Sequence, residues 1–308
     1  MDMDEFELIE DITAGVPKGP DVVLGIGDDA AVLRPSGNVV TSTDLLVEDV
    51  HFRHSWSPPR QVGRKSVAVN VSDIEAMGAA PSAVVVALAM PEETDLQWVR
   101  DFSAGVQEEC ERAGISLVGG DTSSAASIVI SVTALGNLEG RAPVTRSGAR
   151  SGDTVAVSGR LGWAGAGLTV LQRGFGSPKE LVKQHQCPSV PYGQGAVAAA
   201  GGATAMIDIS DGLIADVGHI CSKSGVGIDL ETHHFELPDS IQRLSAATGL
   251  SPWNFILGGG EDHALVATFP PNARLPEEWR RIGVVNNTAE VTVDGEPWEG
   301  PRGWRHFS

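Results

Sequence analysis

The sequence predicts an α/β protein with mixed sheets (an α+β arrangement), divided into two domains. Short apolar runs typical of buried strands alternate with longer segments of helical spacing along all 308 residues. A chain of this length can bury two hydrophobic cores. Residues 140–152 hold three Arg, three Gly and one Pro without apolar periodicity, as an inter-domain linker does. We therefore expect domains at 1–139 and 150–308.

Composition narrows the class of protein further. The formal charge is −18, which argues against nucleic acid as a partner because phosphate-backbone binding needs a basic face. No apolar run approaches the ~18 residues of a membrane span, and the acidic first residues are unlike a secretory signal. Three scattered cysteines without a CxxC pair indicate a reducing, cytoplasmic compartment.

The first half alternates strands and helices. Val67–Val71 is too short for periodicity to decide between helix and strand, and Ser72–Glu75 has the capping-box spacing that opens a helical turn. Gly114 is expected to end the long helix before it. The predicted elements are a helix over 3–14, strands at 22–24 and 39–43, a helix from about Gln61, a strand at 83–89, a helix over 91–113, and strands at 115–118 and 128–135.

The second half restarts with a strand. Its glycine-rich stretch, residues 159–167, can present backbone N–H groups to phosphate or can allow close helix packing, and the sequence leaves both open. It matches neither the P-loop nor the dinucleotide-binding fingerprint. The predicted elements are strands at 154–158, 205–209, 228–230, 264–268 and 290–293, and helices ending near Gly174, over 193–200 and over 213–222.

Carboxylates follow the predicted strands of both halves, usually beside glycine or hydroxyl residues. A buried carboxylate needs a counter-charge, and converging carboxylates and hydroxyls are ligands for hard cations, which in turn attract phosphates. Bound Mg²⁺ also reconciles an acidic chain with an anionic substrate. These positions are Asp28 and Asp29, Ser42-Thr43-Asp44, Asp73, Asp121, and Asp208 with Asp211.

Each of these signals has a structural alternative. Asp28-Asp29 fits a solvated turn, and Asp73, Ser210 and Asp211 fit helix N-caps. Asp208 is harder to explain in this way, because it lies inside an apolar strand and must be satisfied by an ion or by hydrogen bonds. Arg146 suits either a phosphate contact from the linker or an ordinary surface charge.

Two further motifs add polar groups to the second half. The run Gly258–Asp262 is a glycine turn that brings Glu261 and a second acid before a strand. The His233-His234 pair shows no ligand spacing with cysteine, so we expect it to lie on the surface.

Together these stretches resemble the thiamine-monophosphate kinases, of the superfamily that includes aminoimidazole ribonucleotide synthetase and selenophosphate synthetase. The matching pieces occur in family order over nearly the whole chain: GIGDDAAVL, STDLLVEDVHF, AVNVSDIEAMGA, GGDTS, VTRSGARSGD, IDISDGLIADVGHI and GGEDHAL. The usual tyrosine after GGED is His263 here, and a C-terminal aromatic position is Trp304. The reactive Cys of selenophosphate synthetase and the terminal Cys of the hydrogenase-maturation relatives have no counterpart.

The resemblance implies a two-domain aminoimidazole ribonucleotide synthetase-like architecture, a homodimer that shares a sheet or barrel, and ATP bound under several Mg²⁺ ions. The implied Mg²⁺ ligands are Asp29, Ser42, Thr43, Asp44, Asp73, Asp121, Asp208 and Asp211. The implied ATP contacts are Arg146, Ser210, Gly120 and Asp121. The implied thiamine-phosphate contacts are His51, Glu261 and Trp304, with Trp304 as a stacking surface for an aromatic cation.

The resemblance also implies a reaction, the direct transfer of the γ-phosphoryl group of ATP to thiamine monophosphate. The acceptor phosphate has a second pKa near 6 and is largely ionised at neutral pH, so no side chain need act as general base. Two alternatives stay open on the sequence. One is a synthetase of the same superfamily that phosphorylates a carbonyl oxygen, and the other is a nucleotide-responsive binding protein without turnover.

Overall fold

A computed structural model of the chain describes residues 9, 11–13 and 15–304. The helix expected over residues 3–14 lies largely outside them. The described chain divides into two compact units, the first reaching Arg141 and the second beginning at Ala142. Residues Glu75–Gly78 cluster with the second unit although they lie within the first expected domain. The boundaries at 139 and 150 stay a prediction.

The first unit contains a β-ribbon and a four-stranded sheet. In the sheet the strand order is β3-β6-β4-β5, with β4 and β5 parallel and the other pairs antiparallel. The strands are β1 (Val22–Leu24), β2 (Val32–Leu33), β3 (Val39–Val47), β4 (Ala80–Met90), β5 (Ser116–Ser124) and β6 (Val129–Asn137).

Two helices of 18 residues each, α1 (Pro59–Ala76) and α2 (Leu96–Ala113), accompany this sheet. They approach closely because both carry glycine where they meet: a Cβ on Gly63 would overlap the carbonyl oxygen of Phe102. Gly114 ends α2 in the left-handed region, at φ 69°, as predicted.

Helix α1 settles the ambiguity at Val67–Val71, which is helical throughout. The capping-box prediction at Ser72–Glu75 is wrong. The Ser72 hydroxyl donates to the carbonyl of Val69, 2.7 Å away and inside the helix, so this segment is the last turn of α1 instead of the first turn of a new helix.

The second unit is built on a seven-stranded sheet of order β13-β12-β9-β11-β7-β10-β8, in which only the β12–β9 pair is parallel. Strand β7 is buried on both faces, which explains its continuous apolar run. Its strands are β7 (Thr154–Ser158), β8 (Ala205–Asp208), β9 (Gly227–Leu230), β10 (Leu265–Phe269), β11 (Arg280–Asn286), β12 (Val291–Val293) and β13 (Glu296–Pro297).

Helices of the second unit cover this sheet and share its main core with residues such as Val155, Ile207 and Val217. They are α3 (Trp163–Gln172), α4 (Lys179–Gln186), α5 (Gln194–Ala200), α6 (Leu213–Ser224), α7 (Asp239–Thr248) and α8 (Pro252–Gly258), with a 3₁₀ turn at Thr232–His234. Both units thus combine helices with mixed sheets, and the predicted α/β class is confirmed.

Cys110, Cys187 and Cys221 are all buried, and none of the three forms a disulfide bond. Burial raises the pKa of the Cys110 thiol to about 12 and that of Cys221 to about 11. Within the described part of the chain, no helix combines the length and apolar character that crossing a bilayer requires.

Candidate active site

The second unit holds an acidic corner at the end of β8. Asp208 is the last residue of that strand, pairs with Leu265 of β10 and is only 4% exposed. The chain continues one more residue in register, since the Ile209 amide donates to the carbonyl of Ala264 at 2.8 Å. The strand pairing therefore fixes the backbone that carries this carboxylate.

Asp216 supports the loop that follows. Its Oδ2 accepts hydrogen bonds from the amides of Asp211 and Gly212, at 3.1 and 3.0 Å, at the start of α6. The sequence suggested Ser210 and Asp211 as the N-cap of this helix, but the N-cap is Gly212. The carboxylate that caps the helix start belongs to Asp216, inside the helix. Burial raises the pKa of Asp216 to about 7, and the charges of Asp208 and Asp211 add to that rise against the amide hydrogen bonds.

The segment after Gly260 runs beside this loop. The Glu261 amide donates to the carbonyl of Ser210 at 2.7 Å, and the His263 amide donates to the carbonyl of Ile209 at 2.8 Å. Glu261 and His263 both adopt positive φ, 64° and 49°, which is costly for residues with a Cβ. The Glu261 carboxylate lies 3.4 Å from Nδ1 of the buried His185.

Asp262 lies between those two residues, and its carboxylate caps the start of α3. Its carboxylate accepts from the amide of Gly162 and, at 2.8 Å, from that of Ala164. Burial raises the pKa of Asp262 to about 7, although these hydrogen bonds oppose the rise. The amides at this end of the glycine-rich stretch thus serve Asp262, and Gly167 lies where a Cβ would overlap the carbonyl of Leu181. The structure favours close packing over a phosphate cradle.

The last described residue, Trp304, also joins this corner. Its amide donates to the carbonyl of Asp211 at 3.0 Å, while 62% of the residue is exposed. The second unit therefore brings together five predicted site residues: Asp208, Ser210, Asp211, Glu261 and Trp304.

Arg146 lies on a segment that borders β8 from the other side. The Met206 amide donates to the carbonyl of Thr145 at 3.0 Å, and the Ser224 hydroxyl donates to the carbonyl of Arg146 at 3.0 Å. The backbone is therefore anchored while the residue itself is exposed. This placement suits an anion contact.

In the first unit, the structure pairs two predicted ligands. The Ser42 hydroxyl donates to Oδ2 of Asp73 at 2.5 Å, linking β3 to α1. The Asp44 amide donates to Asn70 of the same helix at 2.8 Å. Thr43 alternates to the opposite face of the strand, where its hydroxyl donates to the carbonyl of Val132 at 2.9 Å.

The remaining predicted ligands of the first unit lie apart. Asp44 is on β3 and Asp121 on β5, with β6 and β4 between them, so their backbones are ~14 Å apart at ordinary strand spacing. Gly120, before Asp121, has its α-carbon so close to β4 that a Cβ would overlap the carbonyl of Val86. Asp29 is exposed in the loop between β1 and β2.

His51 follows β3 and is held by backbone groups. Its Nδ1 accepts from the amide of Val47 at 3.1 Å, so the other ring nitrogen carries the proton of the neutral imidazole. The buried Lys65 donates to the carbonyl of His51 at 3.1 Å. The ring orientation is therefore set by the first unit.

Sequence reasoning missed several buried groups. Glu75 accepts from the amides of Gly193 and Gly195, at 2.6 and 2.8 Å, and burial raises its pKa to about 7. Within either unit, no three of the predicted carboxylate ligands that the structure describes have oxygens within 4.8 Å of one another. One group that does meet this distance is Glu231 with His233 and His234, the pair expected on the surface, where Arg281 already donates to Glu231 at 2.9 Å.

The donor set of the acidic corner fits a hard divalent cation. Carboxylate and hydroxyl oxygens are the ligands Mg²⁺ prefers. Burial is the main cause of the raised pKa of Asp216, and the charges of Asp208 and Asp211 add to it. A bound cation would relieve that repulsion among the three carboxyl groups. The residues present therefore fit the ion that the sequence implied.

Two protein-family models match the chain, one in each half. Residues 27–138 match AIR synthase related protein, N-terminal domain, and residues 150–296 match AIR synthase related protein, C-terminal domain. The chain is 47% identical over 306 residues to the thiamine-monophosphate kinase of Mycobacterium tuberculosis H37Rv, covering 98% of this chain and 91% of that protein.

Solved structures of similar proteins superpose on nearly the whole chain. The thiamine-monophosphate kinase from Stenotrophomonas maltophilia K279a superposes with a TM-score of 0.83 at 33% identity, over 96% of this chain and 98% of that one. AaThiL complexed with AMPPCP and TMP superposes with a TM-score of 0.82 at 37% identity, over 98% of this chain and 97% of that one.

Proposed function

The chain belongs to the thiamine-monophosphate kinase family, and from that membership we propose that it transfers the γ-phosphoryl group of ATP to thiamine monophosphate, giving thiamine diphosphate and ADP. A relative of 37% identity is described in complex with AMPPCP and TMP, an arrangement that supports a nucleotide and a phosphorylated acceptor as the two substrates. The observation that carries the proposal within this chain is the acidic corner of the second unit.

We assign roles to the candidate residues on the same basis. The proposed Mg²⁺ ligands are Asp29, Ser42, Thr43, Asp44, Asp73, Asp121, Asp208 and Asp211. The proposed ATP contacts are Arg146, Ser210, Gly120 and Asp121, and the proposed thiamine-phosphate contacts are His51, Glu261 and Trp304. The spacing of Asp44 and Asp121 favours separate ions for these two carboxylates, in keeping with several ions.

The proposed reaction needs no side chain to act as general base. The acceptor phosphate is largely ionised at neutral pH, so its oxygen attacks without losing a proton to the protein. Mg²⁺, when bound, supplies charge neutralisation between two polyanions. The carboxylates of the chain hold and orient that charge, the exposed Trp304 offers a face for the cationic thiazolium ring, and no phosphorylated side chain is needed.

We also propose a homodimer in the cytoplasm. One face of the four-stranded sheet carries Ser42 and Leu46 toward α1, whereas the alternate residues Val39 and Leu45 are 49% and 54% exposed. Exposed apolar residues on a sheet face support an interface with a second copy, which light scattering on the full chain can test. The three cysteines, none of which forms a disulfide bond, support a reducing compartment.

The direct test incubates the full chain with ATP, Mg²⁺ and thiamine monophosphate and separates the thiamine products by chromatography. We expect thiamine diphosphate and ADP in equal amounts. ATP consumption with inorganic phosphate and no diphosphorylated thiamine would assign the chain to the synthetase branch instead. Absence of ATP consumption despite Mg²⁺-dependent nucleotide binding would leave a binding protein.

A further inference from the structure

We propose that His263 is a positioning residue for Asp208, fixing the direction in which that carboxylate presents its oxygens. Nδ1 of His263 lies 3.0 Å from Oδ2 of Asp208. A carboxylate oxygen accepts, so Nδ1 carries the proton and donates. The inference rests on the proposed function, because it gives Asp208 a cation to hold.

Burial makes this contact different from a surface ion pair. The side chains of His263 and Asp208 are 8% and 5% exposed, so water does not compete freely for their hydrogen bond. A carboxylate is planar, and a donor that fixes Oδ2 in a dry site fixes the plane and therefore the position of Oδ1. Histidine and carboxylate groups beside a metal ligand commonly act in this way.

The backbones on both sides leave little freedom for another arrangement. Asp208 is paired with Leu265 in the sheet, and the His263 amide donates to the carbonyl of Ile209 at 2.8 Å. His263 also holds φ at 49°, a conformation that surrounding structure must enforce. The imidazole is thus aimed at Asp208 by the backbone of both segments.

Two amide substitutions separate a role of Nδ1 from a role of the ring. In His263→Asn the side-chain amide nitrogen falls close to the position of Nδ1, and in His263→Gln it falls close to that of Nε2. His263→Phe keeps an aromatic ring without a donor. His219→Asn, at an exposed histidine of α6, is the matched control.

The measurement is the dissociation constant for Mn²⁺, read from the electron paramagnetic resonance signal of the free ion during titration of the full chain. We expect the wild type, His219→Asn and His263→Asn to agree within about threefold. We expect His263→Gln and His263→Phe to bind at least tenfold more weakly, the usual effect of losing a donor behind a metal ligand. If His263→Phe fails to fold, the difference in Mn²⁺ affinity between His263→Asn and His263→Gln still tests the inference.

Equal affinities for the Asn and Gln variants would overturn the inference, as would a wild type that binds no Mn²⁺. Assaying thiamine diphosphate formation in parallel keeps the two proposals apart. A wild type that forms product while all His263 variants bind Mn²⁺ normally refutes only the positioning role. A wild type without product whose Mn²⁺ affinity follows the Asn and Gln pattern refutes only the proposed reaction.

Discussion

Two groups of acidic residues, one in each unit, differ in burial, and burial separates two roles that look identical in sequence. In the first unit Asp29, Asp44 and Asp121 are exposed to solvent. In the second unit Asp216 and Asp262 are buried, and backbone amides at helix starts occupy their oxygens. Carboxylates of the second kind hold helix starts in place, and those of the first kind are the ones we propose as cation ligands.

Asp208 stands between these classes. It is as buried as the two capping acids, yet its Oδ2 lies within hydrogen-bond distance of a histidine side chain, His263. The comparison therefore predicts that substituting an exposed acid changes turnover without changing stability, and that substituting a capping acid does the reverse.

The largest effect is expected at Asp44. Asp44→Asn removes a proposed ligand charge and should lower turnover by about 10²–10³-fold at saturating Mg²⁺, the range seen when one electrostatic contact to a transition state is lost. The unfolding free energy should change by less than about 0.5 kcal/mol, because the residue is exposed. Product assays and urea unfolding measure the two. Asp95→Asn, at the N-cap of α2 where Asn serves equally well, is the control, and near-normal turnover of Asp44→Asn would break the comparison.

Asp262→Ala should show the reverse pattern. Losing this buried cap leaves the amides of Gly162 and Ala164 without their acceptor and should lower the unfolding free energy by about 2–4 kcal/mol. Urea unfolding is the measurement, and Glu277→Ala, at an exposed acid, should stay within about 0.5 kcal/mol of the wild type. A stable Asp262→Ala chain that has lost only activity would place Asp262 among the substrate contacts.

Gly167→Ala tests whether the glycine-rich stretch packs helices or binds phosphate. A Cβ there would overlap the carbonyl of Leu181, so we expect a loss of about 1–3 kcal/mol in unfolding free energy with unchanged ATP affinity of the folded protein. Gly218→Ala, on α6 where nothing lies within 4 Å, should gain about 0.5–1 kcal/mol. The phosphate interpretation would return if Gly167→Ala weakened ATP binding without loss of stability.

The last prediction is a pH dependence of stability. Burial raises the pKa of Asp262 to about 7, whereas an unfolded chain releases that proton near pH 4. Between these values the folded protein keeps a proton that the unfolded chain has lost, so the contribution of Asp262 to the unfolding free energy is greatest below pH 4 and falls as pH rises to about 7. The slope is at most about 1.4 kcal/mol per pH unit.

Asp262→Asn lacks this titration and isolates it from those of other buried acids. Urea unfolding of both proteins between pH 5 and 8 should show the wild type losing stability relative to the variant up to about pH 7, with no further change above. A wild type that gained on the variant as pH rose would mean that the folded state favours the ionised carboxylate.

Local sequence patterns predicted most of the helices and strands, but fewer of the residues at which they begin and end. Apolar runs located β7 at 154–158 and the core of β4. The signal is clearest for β7, because that strand is buried on both faces. The start of α2 at Leu96, later than the expected 91, depends on an Asp95 side chain that accepts from Gln97. Helices α4, α7 and α8 were not anticipated.

The hydrogen-bond partners of the buried acids could not be predicted from local sequence patterns. Asp262 caps a helix 100 residues earlier in the chain, and Glu75 accepts from amides 118 and 120 residues later. Capping signatures describe acceptors within a few residues, so pairings at this separation cannot be read before the fold is known. The acids themselves were found because glycine and hydroxyl neighbours mark them, whereas their burial was set by tertiary packing.

The buried thiols give the molecule a built-in reporter of opening. Thiolate is the reactive form, and a buried thiol reacts with a labelling reagent only after the chain around it opens; burial also raises the pKa of Cys110 to about 12 and that of Cys221 to about 11. Cys110 lies in the first unit, and Cys187 and Cys221 lie in the second. Pulsed labelling followed by peptide mass spectrometry would therefore record the opening of each unit separately, without an introduced probe, and would show whether cation binding protects one unit more than the other.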